Sequence, residues 1–290
     1  VSTKIINFLL LPLYTNILSK EEYGLVDVLS SYTSLIVVFV GFQLGAAVFR
    51  FMIPSRGDGI RVCKICSTAF LLESVFCFFY FIVFLIIKKY LNVEYEWFLL
   101  LHVIVNTYLQ FLSSVVRGQG NNKLYSFGNF MSAFVTLVIN IIVIAVLRLG
   151  VKALLLSYVL GSFVGCNILF WGSGIRKYLG IRFFSKSVLK ELISYAAPLI
   201  PDELSWSLIR SSDGMIVSYI LGVASNGLIA VAGKFSYIYT MLFSIFNASW
   251  TEQVIFHYMD EGGQDYICRM YDKILGMFGC LSIGLISIMP

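Results

Sequence analysis

Nine stretches of this chain are long and apolar enough to cross a bilayer: near 3–18, 23–49, 62–87, 97–116, 124–147, 150–175, 191–221, 226–251 and 270–290. Most approach or exceed the roughly 20 residues that a hydrocarbon core asks of a helix. Lipid offers backbone amides no partner, so such runs fold as helices that satisfy their own hydrogen bonds. The breaks between them are short and carry turn or charge signals, as in SKEEYG (19–24), PSRGDGIR (54–61), RGQGNNK (117–123), RLGVK (148–152) and IRKYLGIRFFSKSVLK (175–190). With 59% hydrophobic and 13% charged residues, a soluble domain would expose large apolar patches. The sequence therefore predicts an all-α polytopic membrane protein, with no large extramembrane domain in these 290 residues.

Orientation follows from lysine and arginine. Lys4 and the even-numbered loops hold fourteen of them: Arg50, Arg56, Arg61 and Lys64; Arg117 and Lys123; Arg176, Lys177, Arg182, Lys186 and Lys190; Arg269 and Lys273. The odd-numbered loops hold five, Lys20, Lys88, Lys89, Arg148 and Lys152. The positive-inside rule places the N-terminus and residues 176–190 in the cytoplasm. The net charge of +5 thus reflects topology and gives no argument for nucleic acid.

An internal repeat emerges on sliding the chain by 203 residues. ILSKEEYGLVDV (17–28) then faces ILGVASNGLIAV (220–231), with Ile17/Ile220, Leu18/Leu221, Gly24/Gly227, Leu25/Leu228 and Val28/Val231 identical. Chance matches are frequent in apolar segments, but this one puts the second unit six spans after the first in the same orientation, as in transporters built from parallel repeats. By the same offset the first span is expected to begin before Val1, and a second half to run beyond Pro290.

Charge inside the apolar runs marks the candidate site. Residues 195–222, YAAPLIPDELSWSLIRSSDGMIVSYILG, hold two prolines, three carboxylates and an arginine, although one charge at mid-bilayer costs about 2.5 to 3.5 kcal/mol even on a lenient scale. Pro198 and Pro201 free carbonyls near Ser194 and Ala197 and predict a helix break. Beyond it Asp202, Trp206, Arg210 and Asp213 share one helical face, which is expected to look into a cavity. Two simpler readings stay open. Pro201, Asp202 and Glu203 could instead start the true membrane helix, and Arg210 with Asp213 could be a self-neutralising pair.

Glu73 lies near the middle of the third run, and Lys234 lies roughly 12 Å into the eighth. Glu73 or Asp213 could bind a coupling ion, H+ or Na+, and Arg50 at the end of the second run could bind cargo or snorkel to the interface. Tyr23, Tyr95 and Trp97 at run ends read as interfacial anchors. Cys63-x-x-Cys66 has redox or zinc spacing but no second pair, so no metal site is assigned; all six cysteines read as reduced. Gly118-x-Gly120 is a turn. His102 and His257 have no partners at metal or triad spacing, and no nucleophile–base pair points to an enzyme.

Three stretches carry a family resemblance: LLLPLYTNILSKEEYGLVDVLSSYTSLI (9–36), SYAAPLIPDELSWSLIRSSDGMIVSYILG (194–222) and LFSIFNASW (242–250). They resemble bacterial Wzx-type polysaccharide flippases of the multidrug/oligosaccharidyl-lipid/polysaccharide exporter superfamily. One position departs from that pattern, since Gly214 follows Asp213 where the family often carries an arginine. The resemblance implies a two-lobe, MATE-like helix bundle: a first six-helix lobe at 1–175, a cytoplasmic linker at 176–190 and the start of a second lobe at 191–290. It also implies a cargo of polyprenyl-pyrophosphate-linked oligosaccharide, flipped across the bacterial cytoplasmic membrane for O-antigen, capsule or exopolysaccharide. A polysaccharide polymerase and a chain-length regulator are the implied partners. Arg210 and Lys234 would meet the pyrophosphate, with Asp202, Trp206, Asp213 and Arg50 also lining the cavity. The other readings are a drug or cation exporter of the same superfamily, which should favour carboxylates over cations, a membrane glycosyltransferase or polymerase, and a scaffold of the polysaccharide machinery.

Overall fold

Capping chemistry sets where several of the membrane helices begin. Ser19 and Glu22 form a reciprocal box, with the Glu22 amide donating to Ser19 Oγ at 3.1 Å and the Ser19 amide donating to Glu22 Oε2 at 2.9 Å. Two orphan amides are satisfied, and the carboxylates sit at the positive end of the helix dipole. Asp58 accepts from the amides of Ile60 and Arg61, and Asn121 from that of Leu124 at 3.1 Å. Each cap stands in one of the short polar breaks.

The computed structural model describes residues 19–88, 95–146, 151–231, 233, 246 and 263–288. Among them every regular element is helical. In order these are α1 (Lys20–Gly41), α2 (Leu44–Met52), α3 (Gly59–Lys88), α4 (Glu96–Gly118), α5 (Asn122–Asn140, continued by a π-helix at Ile141–Val146), α6 (Val151–Gly172), 3-10 turns at Ile175–Lys177 and Ile181–Phe183, α7 (Lys186–Ala196), α8 (Leu199–Leu221) and α9 (Gly263–Ile288). A further helical stretch occupies 223–231. Among the described residues five helices, at Lys20–Gly41, Gly59–Lys88, Glu96–Gly118, Asn122–Val143 and Leu154–Gly172, meet the length and hydropathy needed to cross a membrane. The runs expected at 3–18 and beyond 231 in 226–251 fall almost wholly outside the described residues.

By proximity of Cα atoms the chain forms two compact units, Ser2–Val231 and Ala232–Pro290, the latter with Val1. Within the first, the main core joins Ala47 and Met52 of α2, Ala69 of α3, Phe111 and Val115 of α4 and Leu192 of α7, all buried. α5 and α6 pack with little between them, because Gly161 and Gly165 sit one turn apart on α6. A Cβ on Gly165 would lie 2.8 Å from that of Ser132, and one on Gly161 would strike Thr136 Oγ1. Small residues four apart allow this approach of helix backbones in a bilayer. Ser157 Oγ then donates to Asn140 Oδ1 at 2.8 Å, both residues fully buried. In the second unit, Phe278 of α9 is buried and meets Phe246 edge-on at 5.5 Å.

Two expected spans are each divided. The run 23–49 is broken between α1 and α2, where Phe42 and Gln43 take left-handed φ of 46° and 53°. No glycine or proline occupies either position, and the Phe42 ring packs on Phe76 at 5.0 Å. The run 191–221 is broken at Ala197–Pro198, where the missing amides of Pro198 and Pro201 interrupt the hydrogen-bond ladder.

Candidate functional site

The charged face of the seventh run lies on α8. Pro201 and Asp202 fall in the first turn of this helix, and Asp202, Trp206 and Asp213 are exposed. The opposite side, with Ser207 and Ser211, is buried where α8 packs on α1. Leu208, Ile209 and Ile216 are exposed along α8 as well, so its outer side mixes charge with large apolar side chains. The side chain of Arg210 and all of Lys234 lie outside the described residues, and Arg50 is exposed in the last turn of α2.

Against α8 and the 223–231 stretch, α1 makes a contact that only glycine allows. A Cβ on Gly24 would lie 2.9 Å from the Gly227 nitrogen, and one on Gly227 would lie 3.3 Å from the Gly24 nitrogen. Gly24 and Gly227 are also the positions matched when segments 17–28 and 220–231 are aligned. Asn226 is fully buried beside them. Its Nδ2 donates to Gly24 O and to Asp27 Oδ2, both at 3.3 Å, while Oδ1 has no partner. Gly214 belongs to the same contact, since a Cβ there would lie 3.0 Å from Asn226 Oδ1 and 3.2 Å from Asp27 Oδ2. The departure at Gly214 thus falls where even a Cβ presses on the side-chain oxygens of Asn226 and Asp27.

Glu73 occupies the interior of the helix bundle. It is 1% exposed, and Oε2 has no hydrogen-bond partner. Three other polar side chains along α3 have partners. Ser67 Oγ donates to Tyr178 O at 2.6 Å, Thr68 Oγ1 accepts from the Ser185 amide at 3.1 Å, and Ser74 Oγ lies 2.9 Å from Tyr108 Oη. Thr107 of α4 is a second orphan, 2% exposed and with Oγ1 unpartnered. Most hydroxyls in these helices bond back to a carbonyl one turn earlier, as Thr33, Ser74 and Thr136 do. Other atoms of both residues lie near the end of α1, for a Cβ on Gly41 would lie 3.6 Å from the Thr107 methyl Cγ2 and 3.8 Å from Glu73 Oε1.

His102 is packed between neighbours, with Nδ1 at 3.4 Å from Thr33 Oγ1 and its ring stacked on Tyr158 at 5.7 Å. Sequence reasoning singled out Glu73, Asp202, Trp206 and Asp213 because charge or an aromatic in an apolar run is visible without a fold. It missed Thr107, Asn226 and the Phe42–Gln43 break. Only the repeat at Gly24 and Gly227 could have pointed to the α1 contact.

Residues 1–256 match the family model described as polysaccharide biosynthesis protein, in accord with the resemblance carried by 9–36, 194–222 and 242–250. None of the curated proteins matches the chain. Among solved structures, one described as an inward-facing multidrug resistance MATE family transporter of the MOP superfamily is 15% identical, with a TM-score of 0.71 over 97% of this chain and 72% of that one. At that identity the likeness concerns the fold, which is MATE-like and multi-pass.

Proposed function

This chain belongs to the polysaccharide biosynthesis protein family, and from that membership we propose that it is a flippase for polyprenyl-pyrophosphate-linked oligosaccharide. The family match over residues 1–256 carries this reading. The exposed Asp202, Trp206 and Asp213 of α8 support it, since a cargo with a charged head and polar sugars needs groups that replace its solvation. The protein works in the bacterial cytoplasmic membrane with its N-terminus inside, alongside a polymerase and a chain-length regulator. Its lobes are 1–175 and 191–290 joined by 176–190, and its cavity cations are Arg210 and Lys234, with Asp202, Trp206, Asp213 and Arg50 around them. Glu73 or Asp213 couples transport to a proton or sodium gradient.

Alternating access places the Gly24–Gly227 contact at the outer ends of the second and eighth runs. Closed there, the protein would load cargo from the cytoplasm; parting it would release cargo outside. Deleting the full-length gene and quantifying surface polysaccharide and lipid-linked repeat units tests the cargo. Accumulation of complete units with loss of polymer supports a flippase. Incomplete units would point to an enzyme, and an unchanged polymer with redundancy excluded would point to small-molecule export. Arg210→Ala, inserted normally, is expected to abolish flipping; wild-type transport by that variant would refute the cavity assignment.

A further inference from the structure

We propose that the groove between α1, α3 and α4 binds one phospholipid with a phosphoethanolamine headgroup, its acyl chain in the groove, its phosphate on Lys88 and its ammonium on Glu96. The site uses none of the residues assigned to cargo or coupling, and it stands whether or not the protein is a flippase. One face of α3 makes the floor. Phe76, Phe79, Tyr80, Val83 and Ile87 recur at helical spacing and line a cavity of about 400 Å³, within the roughly 300–1,000 Å³ of sites that hold small ligands. Ile36 and Phe39 of α1 and Leu99 of α4 form the walls.

The groove opens onto an apolar surface. Phe39, Phe79 and Ile87 are exposed at it, and Phe78, Ile82, Leu85 and Ile86 are exposed beside it on α3, with no charge between Glu73 and Lys88. A contiguous patch of this kind marks a surface that meets lipid or a partner. From Phe76 to Lys88 are twelve residues, about 18 Å at 1.5 Å per residue, a little over half of the roughly 30 Å hydrocarbon core. The groove thus has the depth of one leaflet, which an acyl chain fills and a membrane-spanning partner helix would overrun. Phe76 joins the site to the fold, because its ring lines the groove and carries Phe42 at 5.0 Å. A bound chain would therefore pack behind the α1–α2 break.

The mouth carries one charge of each sign. Lys88 Nζ lies 2.8 Å from Glu96 Oε1 and 4.0 Å from the centre of the Trp97 ring, and both Lys88 and Glu96 line the groove. Trp97 stands where indole rings gather at a membrane interface. A partly exposed ion pair contributes little to a fold, and its members keep capacity for further bonds, since an ammonium has three donors and a carboxylate two accepting oxygens. Phosphoethanolamine presents the complementary pair, a phosphate anion two carbons from an ammonium. Set against Lys88 and Glu96 it closes a ring of alternating charges joined by charge-assisted hydrogen bonds. An anionic headgroup would satisfy Lys88 and meet repulsion at Glu96, and a choline headgroup brings no N–H to donate to Glu96.

Native mass spectrometry of the purified full-length protein, titrated in turn with phosphatidylethanolamine, phosphatidylcholine, phosphatidylglycerol and a polyprenyl phosphate, tests the site. Wild type is expected to retain one phosphatidylethanolamine about tenfold more tightly than the other three. Lys88→Gln and Glu96→Gln should each remove that preference. Lys88→Glu combined with Glu96→Lys, which keeps one charge of each sign at the mouth, should restore it. Val83→Trp is expected to fill the groove and weaken binding with both charges intact; if it does not insert, Val83→Phe should act in the same direction. Equal retention of all four lipids would overturn the proposal, as would a preference for phosphatidylethanolamine that both glutamine variants keep. Tighter retention of phosphatidylglycerol would mean that Lys88 acts alone, and of polyprenyl phosphate that the groove serves the cargo's tail; either refutes the phosphoethanolamine site. Absence of any retained lipid on wild type would show that protein covers this face, with the same consequence. None of these readings needs transport, so this site and the flippase reading fail separately.

Discussion

Gly24 sits where the backbone of α1 meets that of the 223–231 stretch, so any side chain there must push two helices apart. Gly24→Val is expected to cost about 1–3 kcal/mol, the usual range for overpacking, with more where backbone cannot yield. Its mark would be a lower melting temperature of the purified full-length protein. Gly276→Ala, where a Cβ meets nothing within 4 Å, serves as the control and should be neutral or slightly stabilising, since alanine is the better helix former. Equal effects at the two sites would mean that the Gly24–Gly227 contact carries little of the packing. At this scale the sequence was legible where a residue's chemistry clashes with its surroundings. A glutamate in an apolar run announces itself, whereas Thr107 becomes unusual only when its hydroxyl fails to find the carbonyl that its helical peers use.

Among the elements, the α1–α2 break is the feature least expected from local propensity. Val37, Val38, Phe39 and Val40 lead into it, and although Gly41 ends the helix, the left-handed positions 42 and 43 hold neither glycine nor asparagine. Phe42 against Phe76 and Leu44 in the core hold the chain in a conformation that its own steric preferences resist. Gln43→Gly should therefore stabilise this conformation by about 0.5–1 kcal/mol, relief of left-handed strain being partly offset by glycine's greater freedom in the unfolded chain. Thermal denaturation of the purified protein measures it. An unchanged or lower midpoint would mean that the Gln43 side chain contributes more than its backbone strain costs. The break at Pro198 is the opposite case, because a missing amide acts whatever surrounds it, and so the division between α7 and α8 could be anticipated from two prolines.

For the whole molecule, the decisive contact joins residues 203 positions apart in the chain, Gly24 and Gly227. If alternating access separates them, a covalent link across the contact must stop the cycle. Cysteines at Asp27 and Asn226, whose side chains are hydrogen-bonded at 3.3 Å, in a background lacking the six native thiols, should form a disulfide under oxidation. Flipping is then expected to cease and to return on reduction. Continued transport by fully cross-linked protein would show that this contact does not open in the cycle.

The membrane class, the helical nature of the runs and the caps at Ser19, Asp58 and Asn121 were determined by the sequence alone. They depend on run length, on composition and on groups within a few residues of each other, which the chain carries whatever its fold. Tertiary structure decided that Glu73, Thr107 and Asn226 carry buried unpartnered atoms while Asp202 and Asp213 are exposed, that Phe42 and Gln43 take left-handed backbone after Gly41, and that Gly24 and Gly227 meet. Each of these depends on which distant side chains come to share one space, and burial and close packing assign that energy only after the helices have assembled.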